Sequence, residues 1–174
     1  PNKRSSHMVK KLSAGGIVFI LPILFIFLFL EIKWIIILIP IMVIGLLDDF
    51  IAVSYLIRLI FQGLTVALII INSNLPNDLP FFYLIILFLM VVGVGVINFI
   101  NFMDGLDGLV GLSFLIITSF YSFFVDMNFL IFIPSLSCFL IYNWHPSKIF
   151  MGNVGSYLLG SLFVIFVLNT KTFD

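Results

Sequence analysis

Long uninterrupted apolar runs alternate with short polar clusters along this chain. The runs lie at Ala14–Leu30, Trp34–Leu47, Leu59–Ile71, Phe81–Met103, Leu109–Val125, Phe129–Tyr142 and Val154–Leu168. None shows the in–out alternation of a membrane β-strand, so a barrel is excluded. A helix needs about 20 residues to cross the hydrocarbon core. Several runs are shorter, but each can borrow flanking residues: Lys33 and Arg58 can snorkel, and Ser54–Ile71 is long enough as a helix. The pattern predicts an all-α, polytopic membrane bundle with about seven spans, forming a single domain over residues 1–174. Pro22, Pro40 and Pro134 fall inside runs, where each removes a backbone donor and can bend its helix. Gly93 and Gly95 would let a neighbouring helix come close.

Composition fixes the solvent. Of 174 residues, 63% are hydrophobic and 9% are charged, against about 25% charged in soluble domains. So much apolar surface, with 22 phenylalanines, excludes a water-soluble enzyme. Eight basic residues balance eight acidic ones, which leaves nothing for nucleic acid. The lone Cys138 excludes an internal disulfide and reads as packing within its span. Lys3, Arg4, Lys10, Lys11, Arg58 and Lys148 share one side if the N-terminus is cytoplasmic, leaving Lys33 and Lys171 outside. Trp34, Tyr83, Tyr142 and Trp144 stand at span ends, as interfacial aromatics do. The chain does not begin with Met and no signal peptide precedes the first run, so a piece of a longer protein, or a trimmed form, is expected.

The acidic residues carry the chemistry. In that topology Glu31, Asp78, Asp126 and Asp174 are outside, while Asp48, Asp49, Asp104 and Asp107 sit at cytoplasmic helix ends. Paired carboxylates repel each other beside an anionic leaflet and call for a divalent cation or a basic ligand, unless they are plain solvated helix ends. Asn98, Asn101, Asp104 and Asp107 recur every third position, which puts them on one face if the segment is helical. Lipid rejects such a stripe, so it should face a protein interior or a wet cleft. Phe150-Met-Gly-Asn-Val-Gly-Ser156 enters the last run, and Gly and Ser at a helix start would expose backbone N–H groups suited to phosphate. Carboxylates, amides and N–H donors together suit Mg²⁺ and a phosphate substrate.

These pieces resemble a known family. Pro1-Asn-Lys-Arg-Ser-Ser-His7 with Gly15-Gly16 comes first, then Asp48-Asp49 with Ser54, Arg58-Leu59 and Gln62. Asn98-x-x-Asn101-x-x-Asp104-Gly-x-Asp107-Gly-Leu109 and Phe150-Met-Gly-Asn-Val-Gly-Ser-x-x-Leu-Gly160 follow in order. The chain is similar to the polyprenyl-phosphate N-acetylhexosamine-1-phosphate transferases, a glycosyltransferase family 4 group that shares a superfamily with phospho-MurNAc-pentapeptide translocase. The first motif looks more like the branch using simple UDP-N-acetylhexosamines.

The resemblance implies transfer of a sugar-1-phosphate from a UDP-N-acetylhexosamine, GlcNAc or a relative, to polyprenyl (undecaprenyl) phosphate with release of UMP. It implies a multi-pass protein of the bacterial inner membrane, a cytoplasmic site that starts cell-envelope polysaccharide, and Mg²⁺ with Mn²⁺ as an alternative. A homodimer is left open. By position, it implies catalytic roles for Asp48, Asp49, Asp104 and Asp107. Asn98, Asn101, Phe150 (on uracil), Gly152 and His7 would touch substrate, and Asn101 and Asn153 the metal. Two departures stand out. Asn153 replaces an expected aspartate, and one helix before Pro1 and several later ones, with a His-rich loop, are missing. His145, in Trp144-His-Pro, reads as interfacial rather than catalytic. A transporter or channel, or an inactive relic of the family, are the rival readings. One-sided aspartates argue against transport, whose sites lie near the bilayer midplane.

Overall fold

A computed structural model describes residues 15–20, 22, 25, 34–73, 75, 76 and 78–169. Within them the regular structure is all helical. A 3₁₀ segment at Gly15–Phe19 precedes α1 (Trp34–Phe50), α2 (Tyr55–Ile71), α3 (Phe82–Met103), α4 (Leu109–Phe124), a second 3₁₀ segment (Met127–Ile131), α5 (Phe132–Asn143) and α6 (Gly152–Leu168).

Polar clusters set the helix ends. Ser54 caps α2, its side chain accepting from the Ile57 N–H. The Asp126 side chain does the same for Asn128, which explains why the sixth apolar run enters through a 3₁₀ turn before α5 begins. Pro40 sits inside a continuous α1. Pro134 falls in the first turn of α5, where no intrahelical N–H bond is lost.

The all-α expectation holds; the expectation of seven spans is met only in part. Among the described residues, α3 alone, with 22 residues, is long and apolar enough to cross a bilayer unaided. The other helices run to 17 residues or fewer, because the polar clusters stop them early. The first apolar run lies largely outside the described residues.

The last helix is the centre. In α6, Val154 to Leu162 is buried without interruption. It packs between α1 and α3, with α2 and the Gly15–Phe19 segment completing the wall. Close approach requires small residues, Gly45 and Gly160 among them. A Cβ at Gly45 would sit 2.7 Å from the Val154 Cα, and one at Gly160 would sit 2.9 Å from the Ile97 Cα. Gly93 likewise lies against Val66, as the sequence suggested, whereas Gly95 faces open space. The opposite faces stay apolar and uncovered: Tyr83, Phe102 and Phe123 are 84%, 81% and 79% exposed. Water would not tolerate such a surface, and lipid does.

Candidate active site

The end of α1, the α3–α4 turn and the entry to α6 meet around one cleft of about 310 Å³. Asp48, Asp49, Asn101, Asp104, Gly105, Phe150, Gly152 and Asn153 line it. Segments about fifty and a hundred residues apart thus converge at one end of the bundle.

The carboxylates are bound into the fold as well as facing the cleft. Asp49 accepts the Asn153 N–H at 2.7 Å through Oδ1 and the Val154 N–H at 3.1 Å through Oδ2. Asp104 Oδ2 accepts the Gly152 N–H at 3.0 Å. Two acids from other helices therefore cap α6, where the helix dipole favours negative charge. Gly152 has φ +77°, a left-handed conformation that suits glycine, where the chain enters α6. The expectation of free phosphate-binding N–H groups at this helix start is corrected: Gly152, Asn153 and Val154 already donate to carboxylates.

Asp48 holds a different set of partners. Its Oδ1 accepts the Val53 N–H at 3.0 Å. Its Oδ2 lies 3.2 Å from Arg58 Nη1 and 3.4 Å from the Tyr157 hydroxyl. Arg58 thus does more than snorkel.

The polar stripe divides. Helix α3 ends at Met103, so Asp107 leaves the helical register after a turn at Asp104–Gly108. Asp107 faces the 144–149 segment, accepting from the Ser147 hydroxyl and N–H and lying 3.0 Å from His145 Nδ1. It does not share the cleft wall with Asp104. Asn98 is also turned inward. It exchanges two hydrogen bonds with the buried Gln62, at 2.7 and 3.3 Å, which locks α3 to α2. Asn101 stays at the cleft, its Oδ1 accepting from the Ser156 hydroxyl at 2.6 Å. His145 is 82% exposed. His7 lies outside the described residues.

Sequence reasoning missed Tyr157 and Asn143. Tyr157 was legible in principle, one helical turn after Asn153 and so on the same face of α6. Asn143 carried no signal. It is buried, accepts the Gly108 N–H at 3.0 Å and donates to the Ile149 carbonyl at 2.8 Å, tying together the two turns that flank the cleft.

Burial pushes the Asp104 carboxyl up to about 7, against the pull of the Gly152 and Met151 N–H groups, and the Asp49 charge adds to the rise. Asp104 is therefore held toward its neutral form, while Asp48 has the Arg58 guanidinium and Asp49 two backbone N–H groups as partners. Among the described residues no three His, Cys, Asp or Glu side chains cluster as a ready-made metal centre. The donors are instead a mixed oxygen set of carboxylates and amides, which suits a hard cation shared with substrate phosphates.

A sequence model of glycosyl transferase family 4 matches residues 31–171, and the chain belongs to that family. It is 34% identical over 181 residues to phospho-N-acetylmuramoyl-pentapeptide-transferase of Dictyoglomus thermophilum, an alignment covering 90% of this chain. The chain spans 59% of that relative's length. Family membership and the apolar outer surface agree on a membrane location.

Proposed function

We propose that the full-length protein transfers a sugar-1-phosphate from a UDP-N-acetylhexosamine to a polyprenyl phosphate, releasing UMP. The carrying observation is the convergence of Asp48-Asp49, Asn101 with Asp104, and Phe150 to Asn153 on one cleft at one end of the helices. An oxygen of the lipid phosphate attacks the β-phosphorus of the nucleotide sugar. The bond to the α-phosphate bridging oxygen breaks, and UMP leaves with that oxygen. Such chemistry depends on placing charge around phosphoryl oxygens. Asp48 and Asp49 orient the lipid phosphate and accept its proton if it arrives protonated. Phe150 offers a flat apolar face to uracil. Asn101, Asn153 and Asp104 would hold a divalent cation, Mg²⁺ or Mn²⁺, which when bound neutralises the pyrophosphate.

In this reading residues 1–174 form a single membrane domain with seven spans, the described helices borrowing flanking residues or thinning the bilayer locally to cross. The cleft faces the cytoplasm of a bacterial inner membrane, and the product starts a cell-envelope polysaccharide. The Pro1–His7 motif favours a simple N-acetylhexosamine. The similar Dictyoglomus protein acts, by its name, on a phospho-N-acetylmuramoyl-pentapeptide. A UMP-release assay with polyprenyl phosphate and, separately, UDP-GlcNAc, UDP-GalNAc and UDP-MurNAc-pentapeptide decides between them. No UMP from any donor, with the protein folded and Mg²⁺ present, would sink the transferase reading and leave the inactive relic.

A further inference from the structure

The Tyr157 side chain is an anomaly. Only 1% of this residue is exposed, yet its hydroxyl lies 3.4 Å from the cleft residue Asp48, beside a partly buried ion pair. Asp48 is 6% exposed at its side chain and Arg58 32%. Taking two charges out of water is repaid only when geometry is good and further hydrogen bonds satisfy the remaining valences. Asp48 Oδ1 is satisfied by the Val53 N–H. The Oδ2 side is less secure. The Arg58 contact there is a single Nη1 at 3.2 Å rather than a two-pronged fork, and Arg58 Nε is buried with no hydrogen-bond partner. A guanidinium held at one point can pivot. The Tyr157 hydroxyl donates to the same Asp48 Oδ2, at 3.4 Å, and so adds a third member to the cluster from α6.

The rest of α6 shows why the hydroxyl can serve this purpose. Asn153 and Tyr157 are one turn apart and face the adjacent aspartates of α1. The Asn153 N–H fixes Asp49, and the Tyr157 hydroxyl meets Asp48. The tyrosine ring is enclosed by the core, so its position follows the helix and not solvent.

Resting on the transferase reading above, we propose that Tyr157 is a positioning residue: its hydroxyl fixes the Asp48–Arg58 pair in the orientation used for phosphoryl transfer. It touches neither substrate nor cation, and acts through that pair.

The test uses full-length protein in detergent with UDP-GlcNAc (or whichever donor releases UMP), polyprenyl phosphate and Mg²⁺. Tyr157→Phe keeps the ring and removes only the hydroxyl. The expected result is a fall in kcat of about tenfold, with KM for the nucleotide sugar within twofold and an unchanged thermal midpoint. Arg58→Lys should also lower kcat, and the double variant should be no slower than the slower single one, because both changes act on the same Asp48 oxygen. A wild-type kcat in Tyr157→Phe overturns the assignment, as do losses that multiply in the double variant or a loss that follows a lowered thermal midpoint. A wild-type protein that releases no UMP from any donor removes the transferase reading and this inference with it.

Discussion

Charge at single residues is the sharpest handle on this cleft. Asn153 supplies an amide where the resemblance places an aspartate, beside Asp49 and Asp104. A charge pair at this range is worth on the order of 4–5 kcal/mol at an effective dielectric near 20, most of it offset by desolvation. Asn153→Asp in the full-length protein should therefore lower the Mg²⁺ concentration for half-maximal transfer by roughly ten- to thirtyfold, about 1–2 kcal/mol. Sugar choice should not change. A Mg²⁺ titration of both proteins measures this, and an unchanged midpoint would detach position 153 from the cation. Asp104 gives a second handle. Its folded value of about 7 exceeds the unfolded 3.8, so its neutral form favours folding. That contribution is complete below about pH 4 and is lost as pH rises through about 7. In metal-free buffer Asp104→Asn should gain stability relative to wild type at pH 8, by about 1–3 kcal/mol, and little at pH 4.5. Thermal midpoints at the two pH values report it. A gain of equal size at both would mean that ionisation of Asp104 is not the cause.

At the scale of elements, α6 is stabilised by its partners more than by its own sequence. Asp49 satisfies two N–H groups that a helix start leaves open. Asp49→Ala should cost about 1–2 kcal/mol of stability as well as activity, and Asp49→Asn less, since one acceptor survives. The glycines separate packing from propensity. A Cβ at Gly160 meets the Ile97 backbone, whereas one at Gly63 meets nothing within 4 Å. Gly160→Ala should lower stability by about 1–3 kcal/mol. Gly63→Ala should leave it unchanged or raise it by up to about 1 kcal/mol. Denaturation of the two variants side by side checks the contrast, and equal effects would contradict the packing described for α6. The helices themselves were legible in the sequence to within a few residues, because continuous apolar runs ended by Asp-Asp, Asp-Gly and Asn-Trp-His-Pro leave little freedom. The partners of the polar residues were not. A three-residue period placed Asn98 and Asp107 with Asp104, but the chain turns after Met103, and Asn98 meets Gln62 from another helix. The Asn98 contact is tertiary and no local pattern encodes it, whereas the turn has a local sign in Gly105 and Gly108, the latter at φ +73°.

For the whole molecule, sidedness is the decisive property. The cleft residues were expected at one end, and the fold brings their loops together there. Whether that end is cytoplasmic is testable with single cysteines at Ser54, Lys148 and Asp78 in a Cys138→Ser background. Lys148 is preferable to its neighbour Ser147, which is buried against Asp107. A membrane-impermeant thiol reagent added outside should label position 78 and spare 54 and 148. Labelling of 148 but not 54 would separate the two loops and dissolve the common site.

The central place of α6 also bears on biosynthesis. This helix leaves the ribosome after the other five, yet it fills the space between α1 and α3. Until it arrives, the earlier helices meet only neighbour by neighbour, chiefly α1 with α2, α2 with α3 and α4 with α5, and Asp49 and Asp104 lack the α6 N–H groups they receive. Those acids must wait at the membrane surface, where water can solvate them. Closure of the bundle is then a late event in synthesis, and the cleft is completed in the same step. A nascent chain arrested before Gly152 would remain a loose set of helices, open to proteolytic surveillance, while one arrested well past Leu168 would resist it.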